Sequence, residues 1–451
     1  MNVSIQMCKK FLLISFAFPP MGVVGSLRPY RICRYLPQKG WLPEVITTYS
    51  RKGLPTDNTL LENIPSSVKI NRVKYIDPLI LYEQFKSKKK QNNSFEKKET
   101  TVSSKQKTLN SLLQKVKSTI IKILSTPDHQ IFWNFSVLIK GIQILLREKN
   151  ICFIMTSSPP HSSQLAGTIL SYLFNKPHIV DFRDPWTDIF QFRRSTLQLR
   201  IEKLLESFVI KRAVKVISTT ETYTELLRKR YKNLDPNKFI TITNSFEPEK
   251  FESIESEYSN KFVICYLGIF YSDLNPYCFF KALSEWLNDY PEARKDTNFI
   301  IVGNGDPVTA RIIQTYKLQD IVTITGRLAH HEAIKIAKSA DLLLLCTGTG
   351  PKTPRGWIPS KLFEYLACRK PILANIPDGD AASIIRKTKT GYVITSDDSE
   401  KIKNILLTEY NRKKQKKSYS VEVFNPNTSE IYKYSVHYTI NKLIDIFEEI
   451  C

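Results

Sequence analysis

Short apolar segments that end in glycine, serine or threonine alternate with helical patterns along most of the chain. The first covers residues 11–18 and leads into a glycine-bearing turn, after which apolar residues recur at helical spacing from Leu27 to Leu36. Residues 43–48 form the next strand pattern. This βαβ start predicts an α/β protein with a parallel sheet covered by helices.

The alternation occurs in two series. The first continues with strand patterns at 151–158, 178–182 and 213–220 and a helix at 196–212, and the second begins at residue 261 after the polar stretch 245–260. We predict two doubly wound Rossmann-like domains facing across a central cleft, where ligands of this architecture bind. The expected limits are 1–245 for the first domain, 261–425 for the second domain, and 426–451 for a helix that packs back on the first domain.

The chain carries a formal charge of +23 at pH 7. Such an excess is typical of proteins that meet nucleic acid, an anionic membrane surface or phosphorylated substrates. Part of it lies in an insertion at about 83–125, which holds eleven lysines and three glutamates. The end of this insertion has one apolar helical face, which either packs on its own domain or lies on an anionic inner membrane.

The cysteines and the apolar runs indicate the compartment. Eight cysteines are scattered without a Cys-x-x-Cys pair, which favours reduced thiols in a cytoplasmic protein and no zinc site. No apolar run reaches the roughly 18 residues of a membrane span. Residues 9–20 are similar to a signal peptide but lack a small-residue cleavage site, so we predict a buried first strand.

Residues 356–373 hold the most informative pattern of the second half. Ser360 follows a proline at a predicted helix start, where free amide groups and the helix dipole suit a phosphate, and Lys361 adds a full charge. Glu364, one turn later, is placed to accept hydrogen bonds from a ribose diol. The alternative is that Lys361 and Glu364 form a solvated pair on an amphipathic helix.

Three patterns of the first half lie at predicted strand ends. Gly22 and Gly25 let the backbone approach a ligand, although they do not complete a G-x-G-x-x-G motif. Arg183 and Asp184 follow the buried strand 178–182, where they are either functional or a structural ion pair. His161 follows the preceding strand, and a lone histidine is most often structural.

Taken in order, these segments resemble a family 4 glycosyltransferase of the GT-B fold. The resemblance rests on "FAFPPMGVVGSLRPYRICRYL", "SSPPHSSQLAG" and "DFRDPWTD" in the first half, and on "GNGDP", "TGRLAHHEAIKIAKSADLLLL" and "IPSKLFEYLACRKPILA" in the second. It implies transfer of a sugar from a nucleotide-diphosphate sugar to a glycan or lipid-linked acceptor with retention of configuration, in cell-surface polysaccharide synthesis. It also implies that domain 1–245 binds the acceptor and that domain 261–425 binds the nucleotide sugar. It implies no essential metal and no other cofactor.

The resemblance also assigns roles to individual positions. Glu364 matches a ribose-binding glutamate, and Ser360 and Lys361 match the helix start that meets the diphosphate. The other implied donor-binding positions are Gly22, Gly25, Gly268, Arg327 and Leu328. Arg183 and Asp184 match positions near the reacting centre, and with His161 they are the expected catalytic residues.

Two departures from the family pattern concern the donor. Gly356 stands eight positions before Glu364, so the sugar-contacting glutamate of the family is absent. The loop 268–276 lacks the arginine and lysine that often bind the diphosphate, and Lys361 is the expected replacement. Asp184 is expected to assist deprotonation of the acceptor.

Two other functions stay open at this point. A nucleotide-sugar epimerase keeps the fold and changes the chemistry. A nucleic-acid-binding protein agrees with the basic charge, but the lysine run lies outside any basic-aromatic binding motif, so we expect no nucleic-acid partner.

Overall fold

The structure is a computed structural model that describes residues 9–50, 53–75, 123–188, 194–270, 276–350, 353–415 and 424–451. The chain divides into two compact units. The first comprises Met1–Thr219, Leu227–Thr241 and Ile444–Cys451, and the second comprises Thr220–Leu226 and Ile242–Leu443. Most of the lysine-rich insertion lies outside the described residues.

The first unit is built on a seven-stranded parallel sheet with the strand order β3-β2-β1-β4-β5-β6-β7. Its centre is strongly apolar because helices cover both faces, and the inner residues of β1 and β4 are fully buried. The strands are β1 Lys9–Ser15, β2 Trp41–Thr48, β3 Lys69–Val73, β4 Ile151–Ser158, β5 His178–Phe182, β6 Lys215–Ser218 and β7 Phe239–Thr241.

Helices connect these strands. Ser195 and Gln198 form a capping box at the start of the helix Thr196–Arg212, which satisfies the first free amide groups. The helices in this part of the chain are α1 Leu27–Tyr35, α2 Asn58–Glu62, α3 Trp133–Arg147, α4 Ser162–Phe174, α5 Thr196–Arg212 and α6 Glu221–Arg230.

The second unit has a six-stranded parallel sheet with the order β10-β9-β8-β11-β12-β13. Its strands are β8 Phe262–Leu267, β9 Thr297–Val302, β10 Val322–Ile324, β11 Leu342–Cys346, β12 Ile372–Asn375 and β13 Gly391–Ile394. The order places the first strand of each series at the centre, with a reversal beside it, which is the doubly wound arrangement. The predicted pair of doubly wound units is therefore confirmed.

Helices cover both faces of this second sheet as well. Two separate apolar clusters pack on it, one around Trp286 and Phe299 and the other around Leu343 and Tyr365. The remaining helices are α7 Pro248–Glu252, α8 Tyr277–Asp289, α9 Pro291–Lys295, α10 Pro307–Thr315, α11 His330–Ser339, α12 Lys361–Cys368, α13 Asp380–Thr388, α14 Ser399–Gln415, α15 Thr428–Tyr432 and α16 Val436–Ile450.

The end of α16 packs in the first unit. The ring of Phe447 lies 4.6 Å from the ring of Phe153 and 5.2 Å from those of Phe11 and Trp41, measured between centroids. Aromatic rings at these separations contribute stability beyond the area they bury. The last turn of the chain is therefore an integral part of the core of the first unit.

One local expectation is wrong. Residues 245–260 follow no apolar period in the sequence, which predicts an interdomain linker, but Pro248–Glu252 forms α7 and both Phe246 and Phe251 are buried in the core of the second unit. Burial of these two phenylalanines stabilises the acidic segment, since each removes a large apolar surface from water. Among the described residues, no helix combines the length and the apolar character needed to cross a bilayer.

Candidate functional site

The candidate donor site of the second unit begins at the carboxyl ends of β8 and β9. Gly268 has a φ of +114°, a conformation that favours glycine, and its amide donates to the carbonyl of Val302 across 2.8 Å. A Cβ on Gly303 would come within 2.4 Å of the carbonyl oxygen of Gly268. The two glycines thus allow the strand ends to approach closely and leave room above them.

Lys361 occupies part of that room. Its Nζ lies 3.7 Å from the centroid of the Tyr266 ring and 3.2 Å from the position that a Cβ on Gly268 would take. In the described part of the chain this ammonium makes no hydrogen bond, so the ring face of Tyr266 is its main partner. The alternative of a solvated surface pair therefore does not describe Lys361, which is packed over an aromatic ring.

The electrostatics around Lys361 favour an anionic ligand. Burial lowers the pKa of Lys361 to about 7, and the nearby Cys346, Glu364 and Cys265 oppose this only in part. Burial also raises the pKa of Cys346 to about 11 and that of Cys265 to about 12, so both thiols are neutral at pH 7. A diphosphate would supply the negative charge that this ammonium lacks.

The start of α12 contributes backbone donors. The amides of Leu362 and Phe363 donate to the carbonyls of Pro359 and Ser360, and the Ser360 side chain is exposed and caps none of the helix amides. In the described residues the amides of Ser360 and Lys361 donate to no backbone carbonyl. They remain available at the positive end of the helix, which suits an anion.

Glu364 lies one turn further along α12. Its carboxylate, 28% exposed, accepts a hydrogen bond from Nε2 of His330 across 3.0 Å. His330 is the first residue of α11, which follows the loop after β10. The contact therefore joins the carboxyl end of β10 to the start of α12. Sequence reasoning missed His330. The only signal was its place directly after a loop at the same edge of the sheet.

The other residues expected at this site lie on the loop after β10. Gly326 has a φ of +74° and turns the chain, Arg327 is exposed, and Leu328 packs against the apolar cluster around Leu343. Arg327 is thus free to reach a ligand, whereas Leu328 anchors the loop. Their predicted roles beside the base stay predictions.

The structure explains the glycine at position 356. A Cβ there would lie 3.1 Å from Cβ and 3.2 Å from Cγ2 of Thr222, closer than nearly all such contacts in proteins. The neighbouring backbone is also tight, since a Cβ on Gly379 would meet the carbonyl oxygen of Arg355 at 2.0 Å. A side chain at position 356 would therefore require Thr222 to shift by a few tenths of an ångström.

In the first unit, the guanidinium of Arg183 joins three segments. It donates to the carbonyls of Ser158 (3.1 Å), Pro159 (2.5 Å) and Gly25. Arg183 is buried, and burial lowers its pKa, with Asp181 and then Asp184 opposing. All three guanidinium nitrogens of Arg183 donate to backbone carbonyls, so the side chain holds these loops together. Its expected catalytic role finds no support in this geometry.

The two glycines of the first unit permit close packing. A Cβ on Gly25 would lie 3.0 Å from Nη1 of Arg183, and one on Gly22 would lie 3.3 Å from the carbonyl oxygen of Pro55, which accepts from the Gly22 amide. A Cβ at either position would require a small shift, of the Arg183 side chain for Gly25 and of the Pro55 backbone for Gly22. Packing therefore favours glycine at both positions, whatever ligand approaches them.

His161 lies in the core of the first unit. Its ring stacks on that of Trp186 with centroids 5.3 Å apart, and Nδ1 is 3.2 Å from Oγ of Ser158. Burial lowers the pKa of His161 to about 3, so the imidazole is neutral and a weak base at pH 7. Among the three residues expected to be catalytic, only Asp184 is exposed at the end of its strand.

Comparisons with known proteins relate part of the chain to a known family. Residues 248–420 match the family model of glycosyl transferases group 1. That stretch contains β8 to β13 and all residues of the candidate donor site. No curated protein matches the sequence significantly.

Solved structures with similar folds include enzymes of more than one activity. Sucrose-phosphate synthase from Thermosynechococcus elongatus aligns with a TM-score of 0.58 at 14% identity, covering 98% of this chain and 99% of that chain. A TarM variant from S. aureus, solved with fondaparinux, α-GlcNAc-glycerol and UDP, aligns with a TM-score of 0.55 at 12% identity, covering 97% of this chain and 99% of that chain. UDP-GlcNAc 2-epimerase from Methanocaldococcus jannaschii aligns with a TM-score of 0.54 at 12% identity, covering 98% of this chain and 99% of that chain. These likenesses confirm the GT-B fold class.

Proposed function

We propose that this protein is a glycosyltransferase that moves a sugar from a nucleotide-diphosphate sugar to a glycan acceptor. The group 1 glycosyl transferase match over 248–420 supports the transferase class. The observation that carries the donor assignment is the ammonium of Lys361, held over Tyr266 beside Gly268 at the free amino end of α12. A cation and helix amides in one place are the chemistry that binds a diphosphate.

The same groups act on the reaction. Cleavage of the bond between the sugar and the diphosphate leaves negative charge on the departing phosphate. Donors that are already oriented toward this charge stabilise the transition state, and one such donor is worth about 3 kcal/mol. Lys361 and the amides of Ser360 and Lys361 are those donors. Glu364 binds the ribose of the leaving nucleotide, oriented by His330.

The finer features of the reaction are part of the proposal. The acceptor is a lipid-linked glycan of cell-surface polysaccharide synthesis, and the new bond retains the configuration of the donor sugar. Asp184 assists deprotonation of the acceptor hydroxyl, which its exposed position in the first unit allows. Replacing Asp184 with asparagine tests this role, and unchanged turnover would reject it.

No metal is needed in this proposal, because Lys361 and the helix end provide the positive charge for the diphosphate. Donor binding and turnover are therefore expected to be the same in EDTA as in magnesium. A loss of activity in EDTA that magnesium restores would show that a cation shares this role.

The donor assignment is tested by thermal stabilisation of the purified protein across a panel of nucleotide sugars. One donor class is expected to raise the melting temperature of the wild type. Lys361→Ala is expected to lower the affinity for that donor by about 100-fold. Lys387→Ala changes an exposed lysine of α13 and is expected to leave the affinity unchanged. Equal binding by Lys361→Ala and the wild type would overturn the assignment.

Product analysis separates transfer from epimerisation, since both activities occur among proteins of this fold. When a transferase is incubated with the donor alone, the donor stays unchanged or is slowly hydrolysed. With an acceptor, the anomeric coupling constant of the new linkage reports retention or inversion. Conversion of the donor sugar to its epimer without acceptor would identify an epimerase.

A further inference from the structure

One face of the first unit exposes an unusual number of large apolar side chains. Phe135 and Leu204 are 68% and 72% exposed, although a typical globular surface scatters such residues singly. The residues concerned all lie on α3, α4 and α5, and we call them the apolar face: Phe135, Ile139, Leu146, Ile169, Tyr172, Leu173, Leu197, Leu204 and Phe208.

The three helices lie side by side. The connections from β3 to β4, β4 to β5 and β5 to β6 all step in one direction across the sheet, and right-handed crossovers then place α3, α4 and α5 on the same side. Gly141 of α3 lets α4 approach, since a Cβ there would meet Leu170 at 2.4 Å. The guanidinium of Arg212 on α5 lies 4.6 Å from the centroid of the Tyr172 ring on α4. The exposed apolar residues therefore lie on three neighbouring helices on one side of the sheet.

Charge on these helices has a single sign at the surface. The only acids of α3, α4 and α5 are Glu202 and Glu206, and both are buried. Glu202 pairs with Arg194 at 2.9 Å, and Glu206 pairs with Arg230 at 2.8 Å. The basic residues of the three helices are Lys140, Arg147, Arg200, Lys203, Lys211 and Arg212. Arg147 is paired with Glu44 and Glu148, so the basic rim rests on the other five.

We propose that the apolar face is a docking surface for an anionic lipid bilayer. Its apolar side chains would enter the headgroup boundary, while the surrounding lysines and arginines would meet lipid phosphates. A protein partner would need an apolar area and a surrounding ring of negative charge that both fit this face. An anionic bilayer offers an apolar interior and negatively charged headgroups at any position along its surface. The proposal does not depend on transferase activity, because its test measures binding.

The test is co-sedimentation of the full chain with vesicles of phosphatidylcholine alone or of phosphatidylcholine with phosphatidylglycerol. The wild type is expected to sediment with the anionic vesicles and to be released by salt. Phe135→Ser combined with Leu204→Ser is expected to reduce binding roughly tenfold or more. The matched control is Tyr258→Ser with Tyr432→Ser, which removes two exposed aromatic residues from the second unit.

Charge is tested separately from apolar area. Arg200→Gln combined with Lys203→Gln is expected to weaken binding to anionic vesicles by about fivefold for each charge removed. Lys295→Gln with Lys387→Gln, two exposed lysines of the second unit, removes the same net charge and is expected to have little effect. All substituted side chains are exposed, so each variant is expected to keep the wild-type circular dichroism spectrum and melting temperature.

Equal vesicle binding by the wild type and by both surface variants would overturn the proposal, as would absence of binding by the wild type. Light scattering measures the oligomeric state and so tests whether a second copy of the chain covers this face instead. A dimer that becomes a monomer in Phe135→Ser with Leu204→Ser, without a change in vesicle binding, would assign this face to self-association instead.

Discussion

Lys361 holds its ammonium 3.7 Å from the centre of the Tyr266 ring, at the amino end of α12. The ring face attracts the cation but does not replace its hydration. Burial consequently lowers the pKa of Lys361 to about 7. The charge that a bound diphosphate meets at this position therefore depends on pH in the neutral range.

We expect donor affinity to decrease as the pH rises above about 7, because only the protonated lysine attracts the diphosphate. The decrease approaches tenfold per pH unit at its steepest. Lys361→Arg keeps a charged group at every accessible pH, so its donor affinity, though altered in magnitude, should vary little between pH 7 and 9. Calorimetric titration of both proteins across this range measures the effect. A wild-type affinity as flat as that of the arginine variant would contradict the prediction.

The same pKa predicts how stability depends on pH in the absence of ligand. The folded pKa of Lys361, about 7, lies below the unfolded value of 10.5, so the unfolded chain binds more protons between these values. The cost of burying the charged lysine is thus fully present below pH 7 and is lost as the pH rises toward 10.5. We expect Lys361→Met to melt at a higher temperature than the wild type at pH 7, with a much smaller gain at pH 10. The exposed Lys387→Met is the control, and a gain that does not change with pH would count against this account.

The contact between His330 and Glu364 predicts a graded effect on nucleotide binding. Without the imidazole, the carboxylate of Glu364 loses the hydrogen bond that orients it toward a ribose, at a cost of about 0.5–1.5 kcal/mol. His330→Ala should weaken nucleoside diphosphate binding by about threefold to tenfold, and Glu364→Ala should weaken it more. His331→Ala is a matched control on the same turn, since among the described residues His331 makes no side-chain hydrogen bond. Equal affinities for the two histidine variants would show that His330 does not position the carboxylate.

The fold was predictable where burial produces a continuous apolar pattern. β4, Ile151–Ser158, coincides with its prediction, because a central parallel strand is covered on both faces. β3, Lys69–Val73, was missed, because this edge strand is only partly buried and carries Lys69, Asn71 and Arg72. Edge strands keep polar residues, so their sequences do not differ clearly from loops.

The candidate site was predictable in part. Ser360, Lys361 and Glu364 lie on consecutive turns, so local spacing alone places them together at one helix end. His330 lies 34 residues from Glu364, and its contact follows from the order of strands in the sheet rather than from any local pattern. Arg183 and His161 were expected to be catalytic residues at strand ends. Whether such a side chain points into a site or back onto carbonyls and rings depends on packing between distant segments.

Gly356 offers the sharpest test of the packing around the donor site. If contact with Thr222 excludes a side chain at this position, Gly356→Ala should already lower the free energy of unfolding by about 1–3 kcal/mol. Gly356→Glu should be at least as destabilising, and it should not improve donor affinity, because its Cβ would press on Thr222 of α6. Urea unfolding measures both, with Gly350→Ala as control, since a Cβ at Gly350 would meet nothing within 4 Å. The loss should shrink when Gly356→Ala is made in a Thr222→Gly background, because the atoms 3.1 and 3.2 Å away are then absent. Additive effects of the two substitutions would mean that another constraint keeps glycine at position 356.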